Sequence, residues 1–242
     1  MMHKLFVMLS GVVAGANLAA AAGQNPSIPP QSVHAKQWAS TARAAVDAAA
    51  VDPFVERLLS QLTLEEKVGQ MIQADIASIT PAELRQYKLG SILAGGNAAP
   101  GDNVRTTPQA WLELTNDFYQ ASLDTGGTHE AIPILFGIDA VHGNAKIMGA
   151  TIFPHNVGLG AAHDPDLIRR IGQATGVEVS TVGVDWTFAP TVAVARDVRW
   201  GRSYESYSEM PELVERYAPA MVTGLQGERG TPDFMAPGHT LS

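Results

Sequence analysis

Helix starts recur along the chain with one local signature. Thr63 precedes Leu64-Glu65-Glu66 and Thr80 precedes Pro81-Ala82-Glu83. In both, the hydroxyl can accept from the amide three residues on while the glutamate reaches back to the threonine's own amide. Pro81 stands where a helix has no use for an N–H. Thr107-Pro108-Gln109 and Asp164-Pro165-Asp166 repeat the device, and Glu209-Met210-Pro211 is a weaker form leading into Leu213, Val214, Tyr217, Met221 and Leu225. Five helices are predicted from these starts. Between them lie short apolar runs bounded by Gly, Pro or Asp: Leu89 to Leu93, Ile132 to Ile138 and Val182 to Phe188, with Thr191 to Ala195 as a fourth possibility. Strands alternating with helices imply right-handed βαβ units and an α/β fold with a parallel sheet. A doubly wound sheet and a (β/α)8 barrel both satisfy the pattern. Both bind ligands at the carboxyl ends of the strands, so the residues just after each apolar run are the ones to inspect.

The ends of the chain read differently from its middle. Met-Met-His-Lys is a short basic start, Leu5 to Ala22 is apolar and small, and Ala20-Ala21-Ala22 closes as a cleavage site would, so residues 1–22 read as a secretory signal peptide. Gly11, Gly15 and Asn17 dilute the run, and no basic cluster follows it, which argues against a stable membrane anchor. Export to a periplasm or the extracellular medium is expected. Residues 23–50 are rich in Pro and then Ala and read as an exposed leader; the globular domain is placed at 51–242.

Composition narrows the chemistry. The 242 residues are 45% hydrophobic, enough for a sizeable core, and 24 Asp and Glu against 16 Lys and Arg give a net charge of −8. That balance argues against nucleic acid as a partner. The absence of Cys excludes disulfides, thiolate metal sites and Cys nucleophiles.

Two segments remain as candidates. The run ending at Ile138 is followed by Asp139-Ala140-Val141-His142-Gly143-Asn144. A carboxylate there is held rigidly at the mouth of the sheet, and Gly143 allows the backbone to come close to a ligand; the plainer reading is that Asp139 caps a turn. His142 has neither an HExxH nor a His-x-His partner, so no metal is expected. Residues 196 to 209 carry three Arg, three carboxylates and three aromatics. Guanidinium forks suit vicinal hydroxyls or carboxylates, and Trp or Tyr faces suit the C–H side of a sugar ring, although a salt-bridged surface loop has the same composition. Gly158-Leu159-Gly160 lacks the third glycine of a dinucleotide fingerprint and no Gly-x-Ser-x-Gly is present, so neither that cofactor nor serine hydrolysis is expected.

Taken together, GIDAVHG (137–143), FPHNVGLGAAHDPDL (153–167), VGVDWTFAPTVAVARD (182–197), VRWGRSYESYSE (198–209) and the earlier LLSQLTLEEKVGQM (58–71) resemble the N-terminal domain of family 3 glycoside hydrolases. VHG and RSYESYSE resemble its exo-acting β-glucosidases and β-glucan glucohydrolases more than its β-N-acetylhexosaminidases. The resemblance implies a (β/α)8, TIM-like barrel followed by an α/β sandwich, with the active site between them. It implies that Asp139 and Arg202 bind hydroxyls of a non-reducing terminal glucose, with His142, Arg199 and Glu205 supporting them. The substrate would be a β-glucoside or β-glucan oligosaccharide, cleaved with retention by an Asp nucleophile and a Glu acid/base.

The sequence also departs from the family's pattern. Residues 234–242 read FMAPGHTLS, where His239 lacks the preceding Lys and following aromatic of the family's Lys-His-Phe segment. Asp185-Trp186 precedes the RWGR segment and so is not the Asp-Trp nucleophile motif. The chain is therefore expected to hold the first half of the barrel, without nucleophile or acid/base, and to be inactive alone. A non-catalytic carbohydrate-binding protein is the alternative.

Overall fold

A computed structural model describes residues 52–242; the expected signal peptide at 1–22 and leader at 23–50 lie outside the described residues. In chain order the elements are α1 (Pro53–Gln61), α2 (Leu64–Gly69), β1 (Gln73–Asp75), α3 (Pro81–Tyr87), β2 (Ser91–Ala94), α4 (Pro108–Ser122), β3 (Leu135–Ile138), α5 (Asn156–Ala161), α6 (Pro165–Ser180), β4 (Trp186–Thr187) and α7 (Pro211–Gln226).

The five helices predicted from their starts begin where the caps stand. Thr63 and Thr80 close full capping boxes with Glu66 and Glu83. Thr107 accepts from the Ala110 amide at 3.2 Å, and Asp164 from the Leu167 amide at 3.0 Å. Each such cap contributes about 1 kcal/mol to the helix it opens. The weaker fifth start has no side-chain cap at Met210. Its helix is held instead by the burial of Leu213, Val214, Tyr217, Met221 and Leu225. The spacing did not reveal α1, capped by Asp52, or the short α5.

All strand pairs are parallel and the sheet order is β1-β2-β3-β4. Leu241 adds a parallel bridge to Trp186 beyond β4. Each strand therefore lies beside its predecessor, with no reversal of direction. A doubly wound sheet must reverse at a switch point, so the choice left open by the sequence falls to the barrel: this is a partial (β/α)8 arrangement winding one way.

Two strand expectations change. Gln73–Asp75 forms β1 although it carries no apolar run, because only Ala74 packs against the core. Thr191 to Ala195 forms no strand: it has passed the carboxyl end of the sheet, and its backbone is held by the Ser206 hydroxyl, which donates to Ala193 O at 2.7 Å and accepts from the Ala195 amide at 3.2 Å.

The core lies in two parts. Ile92, Ala94, Phe136 and Ile138 of the sheet pack with Leu84, Trp111, Phe118 and Val179 of the surrounding helices. A second cluster joins Leu159, Ile168, Tyr207, Tyr217 and Leu225, and fixes α5, α6 and α7 around the segment that carries Glu205. Among the described residues no helix is long and apolar enough to cross a membrane.

Candidate functional site

Parallel strands deliver their following residues to one rim. Asp139 comes directly after the fully buried Ile138 and is exposed. Its position is fixed from below, because the next amide, Ala140 N–H, donates to the buried Thr187 hydroxyl on β4 at 3.3 Å.

Neighbouring strands brace the same rim. Lys146 Nζ donates to the carbonyls of Gly95 and Gly96, at 3.2 and 2.5 Å, after β2. Asp75, at the end of β1, accepts from the Gly95 amide at 2.9 Å and the Ala77 amide at 2.8 Å. Burial lowers the Lys146 ammonium from its ordinary value, while the charges of Asp139 and Asp75 oppose that shift. A cation is thereby held in place among two carboxylates and two carbonyls.

Arg202 and Glu205 form a planar fork. Arg202 Nε donates to one Glu205 oxygen at 2.8 Å and Nη2 to the other at 2.5 Å. The Glu205 side chain is 9% exposed and that of Arg202 63%. The carboxylate is thus the buried anchor, and the guanidinium keeps its remaining N–H groups toward solvent. Glu205 is itself pinned, since its carbonyl accepts from Asn156 Nδ2 at 2.8 Å and from the Thr191 hydroxyl at 2.6 Å. Hydrogen bonds from Arg202 hold the Glu205 carboxyl below its ordinary range, against the opposing effect of burial.

His142 reaches the same region. Its Nε2 lies 2.9 Å from Nδ1 of His155, and Tyr204 packs edge-on against the His155 ring at 4.6 Å between centroids. Burial, and secondarily the neighbouring His155, lowers the His142 ring from its ordinary value, opposed by Glu205.

The structure therefore brings His142, Arg202 and Glu205 together, with Asp139 close enough for its charge to act on Arg202. Arg199 is elsewhere: its guanidinium clasps Asp197 at 2.6 Å and its side chain is 89% exposed. Gly143 has the positive φ that favours glycine, but the backbone it approaches is its own chain, because a Cβ there would overlap the Thr151 carbonyl.

Asp185 stands at the other end of the sheet, level with Phe136, whose amide it faces at 3.4 Å. His239 is paired within its own turn, with Nδ1 3.1 Å from Ala236 O. Sequence reasoning missed Asp75, Lys146, His155 and Tyr204. His155 and Tyr204 lie inside quoted motifs, but only tertiary contact shows what they touch. Among the described residues no group of three or more His, Cys, Asp or Glu side chains is placed to hold a metal ion.

Comparison with known proteins agrees with the fold. The model of the glycosyl hydrolase family 3 N terminal domain matches residues 63–239. A lysosomal beta glucosidase of Dictyostelium discoideum is 32% identical over 198 residues, covering 75% of this chain and 24% of its own length. The crystal structure of an exo-1,3/1,4-beta-glucanase from a Pseudoalteromonas species is 52% identical with a TM-score of 0.73, covering 78% of this chain and 24% of that one. A mutant beta-glucosidase from Listeria innocua, solved in complex with laminaribiose, is 27% identical with a TM-score of 0.55, over 76% of this chain and 25% of that one. The chain thus spans about a quarter of the length of these relatives.

Proposed function

From a chain that belongs to glycosyl hydrolase family 3 through its N-terminal domain, we propose that this rim is the sugar-holding part of an exported, exo-acting β-glucosidase. Asp139 accepts hydrogen bonds from hydroxyls of the non-reducing terminal glucose. Arg202 donates to the same ring through the N–H groups that Glu205 leaves open. His142 supports the pair; Arg199, held by Asp197, acts on the shape of the loop. The substrate class is a β-glucoside or β-glucan oligosaccharide, a reading supported by the named activities of the relatives. Hydrolysis in the whole enzyme proceeds with retention, through a glycosyl-enzyme formed on an Asp and released with a Glu acting first as acid and then as base. Residues 1–242 carry neither group in the family's motif, so on this reading the polypeptide binds the sugar without cleaving it. Export rests on the apolar start at residues 1–22.

The observation that carries this reading is the Arg202–Glu205 fork, anchored on its buried side and open on the other, near enough to Asp139 for that charge to act on Arg202. Calorimetric titration of the purified chain with glucose and with laminaribiose tests it, beside an assay with an aryl β-glucoside. Saturable binding, lost in Asp139→Asn and in Arg202→Ala, with no release of the aryl group, is the expected result. Binding that survives both substitutions would remove the assignment of the two residues. Hydrolysis by this chain, abolished in Asp139→Asn, would overturn the claim that it binds without turnover.

A further inference from the structure

His142, His155 and Tyr204 come from three segments: the loop after β3, the residue before α5, and the turn that carries Arg202. They meet in one stack. The His142 and His155 rings are perpendicular, with centroids 4.4 Å apart and a nitrogen-to-nitrogen distance of 2.9 Å. Tyr204 lies 4.6 Å from His155 and 6.3 Å from His142.

A bond between two imidazole nitrogens needs one donor and one acceptor. The environment of His142 Nδ1 decides which is which, because that atom is buried without a hydrogen-bond partner. If His155 donated from Nδ1, the proton of neutral His142 would have to sit on the buried Nδ1, as an orphaned donor. If His142 donates from Nε2, only a lone pair is left unpartnered there, the less costly of the two defects. His155 then accepts on Nδ1 and carries its own proton on Nε2.

We propose that His155 is a positioning residue for sugar binding: with both imidazoles protonated on Nε2, the His142–His155–Tyr204 stack clasps the turn bearing Arg202 against the loop bearing Asp139. This rests on the reading that Asp139 and Arg202 hold the sugar. Two groups on different loops recognise one ring only if their separation is fixed, and the stack is a direct side-chain contact between the two loops' neighbours, beside the bond from Asn156 to the Glu205 carbonyl. The charged and titratable groups facing the pair are Glu205, its partner Arg202, and Tyr204.

The test uses the purified chain, with nitrogen-15 histidine spectra and glucose titrations at neutral pH. His155→Phe keeps a ring against Tyr204 but accepts nothing; His155→Asn places an amide oxygen near the site of Nδ1. The expected results are a His142 proton on Nε2, glucose affinity about tenfold weaker in His155→Phe, and recovery in His155→Asn. A His142 proton on Nδ1, or wild-type affinity in His155→Phe, overturns the clasp. A wild-type chain that takes up no glucose refutes the sugar-holding reading instead. The clasp is then still judged by the tautomer and by whether Tyr204 and Arg202 side-chain signals shift in His155→Phe; unchanged signals overturn it.

Discussion

Gly160 and Gly158 sit two residues apart in α5 and should respond to alanine with opposite signs. A Cβ on Gly160 would overlap the carbonyl oxygen of Tyr207, far inside the 3.0 Å that real Cβ atoms essentially never cross. The obstacle is backbone, so it cannot rotate aside. Either α5 or the segment through Tyr207 must move by about 1 Å or more, and Tyr207 is 2% exposed, between Leu159 and Tyr217. Forced overpacking of this kind costs about 1–3 kcal/mol, sometimes more, against a gain of up to about 1 kcal/mol for replacing a helical glycine. The net expectation for Gly160→Ala is a loss of about 1–2 kcal/mol. A Cβ on Gly158 meets only Pro154, at 3.9 Å, so Gly158→Ala keeps the helical gain and should be neutral to about 1 kcal/mol more stable. Urea unfolding followed by circular dichroism reads both; with a slope of about 1–3 kcal/mol per molar, Gly160→Ala should lower the midpoint by about 0.3–2 M. Tyr207 lies two residues after Glu205, so glucose affinity should fall in Gly160→Ala and hold in Gly158→Ala. An unchanged or raised midpoint in Gly160→Ala would falsify the packing argument.

Other consequences follow from the same contacts. The Tyr217 hydroxyl accepts from the Asp164 amide at 2.8 Å and donates to Leu159 O at 3.2 Å, so Tyr217→Phe should orphan both groups and reduce stability by about 1–3 kcal/mol in the same unfolding assay. The ring contact with Tyr207 at 5.1 Å is retained in that variant, and a loss below about 0.3 kcal/mol would show that water replaces the hydroxyl. Glu205→Gln should leave the circular dichroism spectrum unchanged while weakening glucose binding about tenfold, because the amide cannot hold both guanidinium donors; undiminished affinity would detach the fork from binding. The folded state lowers the His142 ring below its ordinary 6.5, so the unfolded chain takes up that proton first. Stability should therefore decline as pH falls through about 6.5, and decline further as pH approaches the depressed range of the Glu205 carboxyl. Urea midpoints measured from pH 8 to about pH 5 that stay level would contradict it.

Local chemistry made the helices readable. A Thr or Asp cap, joined by an N1 proline in α3, α4 and α6 and by a glutamate three residues on in α2 and α3, determines a helix start among neighbours, which is why these four helices begin where their caps predicted. The quoted motifs also carried the family: GIDAVHG and VGVDWTFAPTVAVARD run through β3 and β4 and past their carboxyl ends, whereas LLSQLTLEEKVGQM lies on α1 and α2 and FPHNVGLGAAHDPDL reaches through α5 into α6. The same locality explains the misses. β1 is a strand only because β2 lies beside it, and Thr191 to Ala195, apolar enough for a strand, finds Ser206 where a neighbouring strand would be.

The site divides in the same way. The sequence by itself placed Asp139 after a buried strand and put Arg202 and Glu205 at a spacing where one turn can pair them. It determined the family, the α/β class and the side-chain types at the rim. Which sheet those strands build depended on their order, a property of pairing between residues 18 to 49 positions apart. Tertiary structure alone filled the space beside Gly143 with Thr151, ran Lys146 across to the carbonyls after β2, and set His155 against His142 and Tyr204. The physical reason is range: capping and turn chemistry act within one turn of the chain, whereas burial and long-range hydrogen bonds are settled only when distant segments share one core.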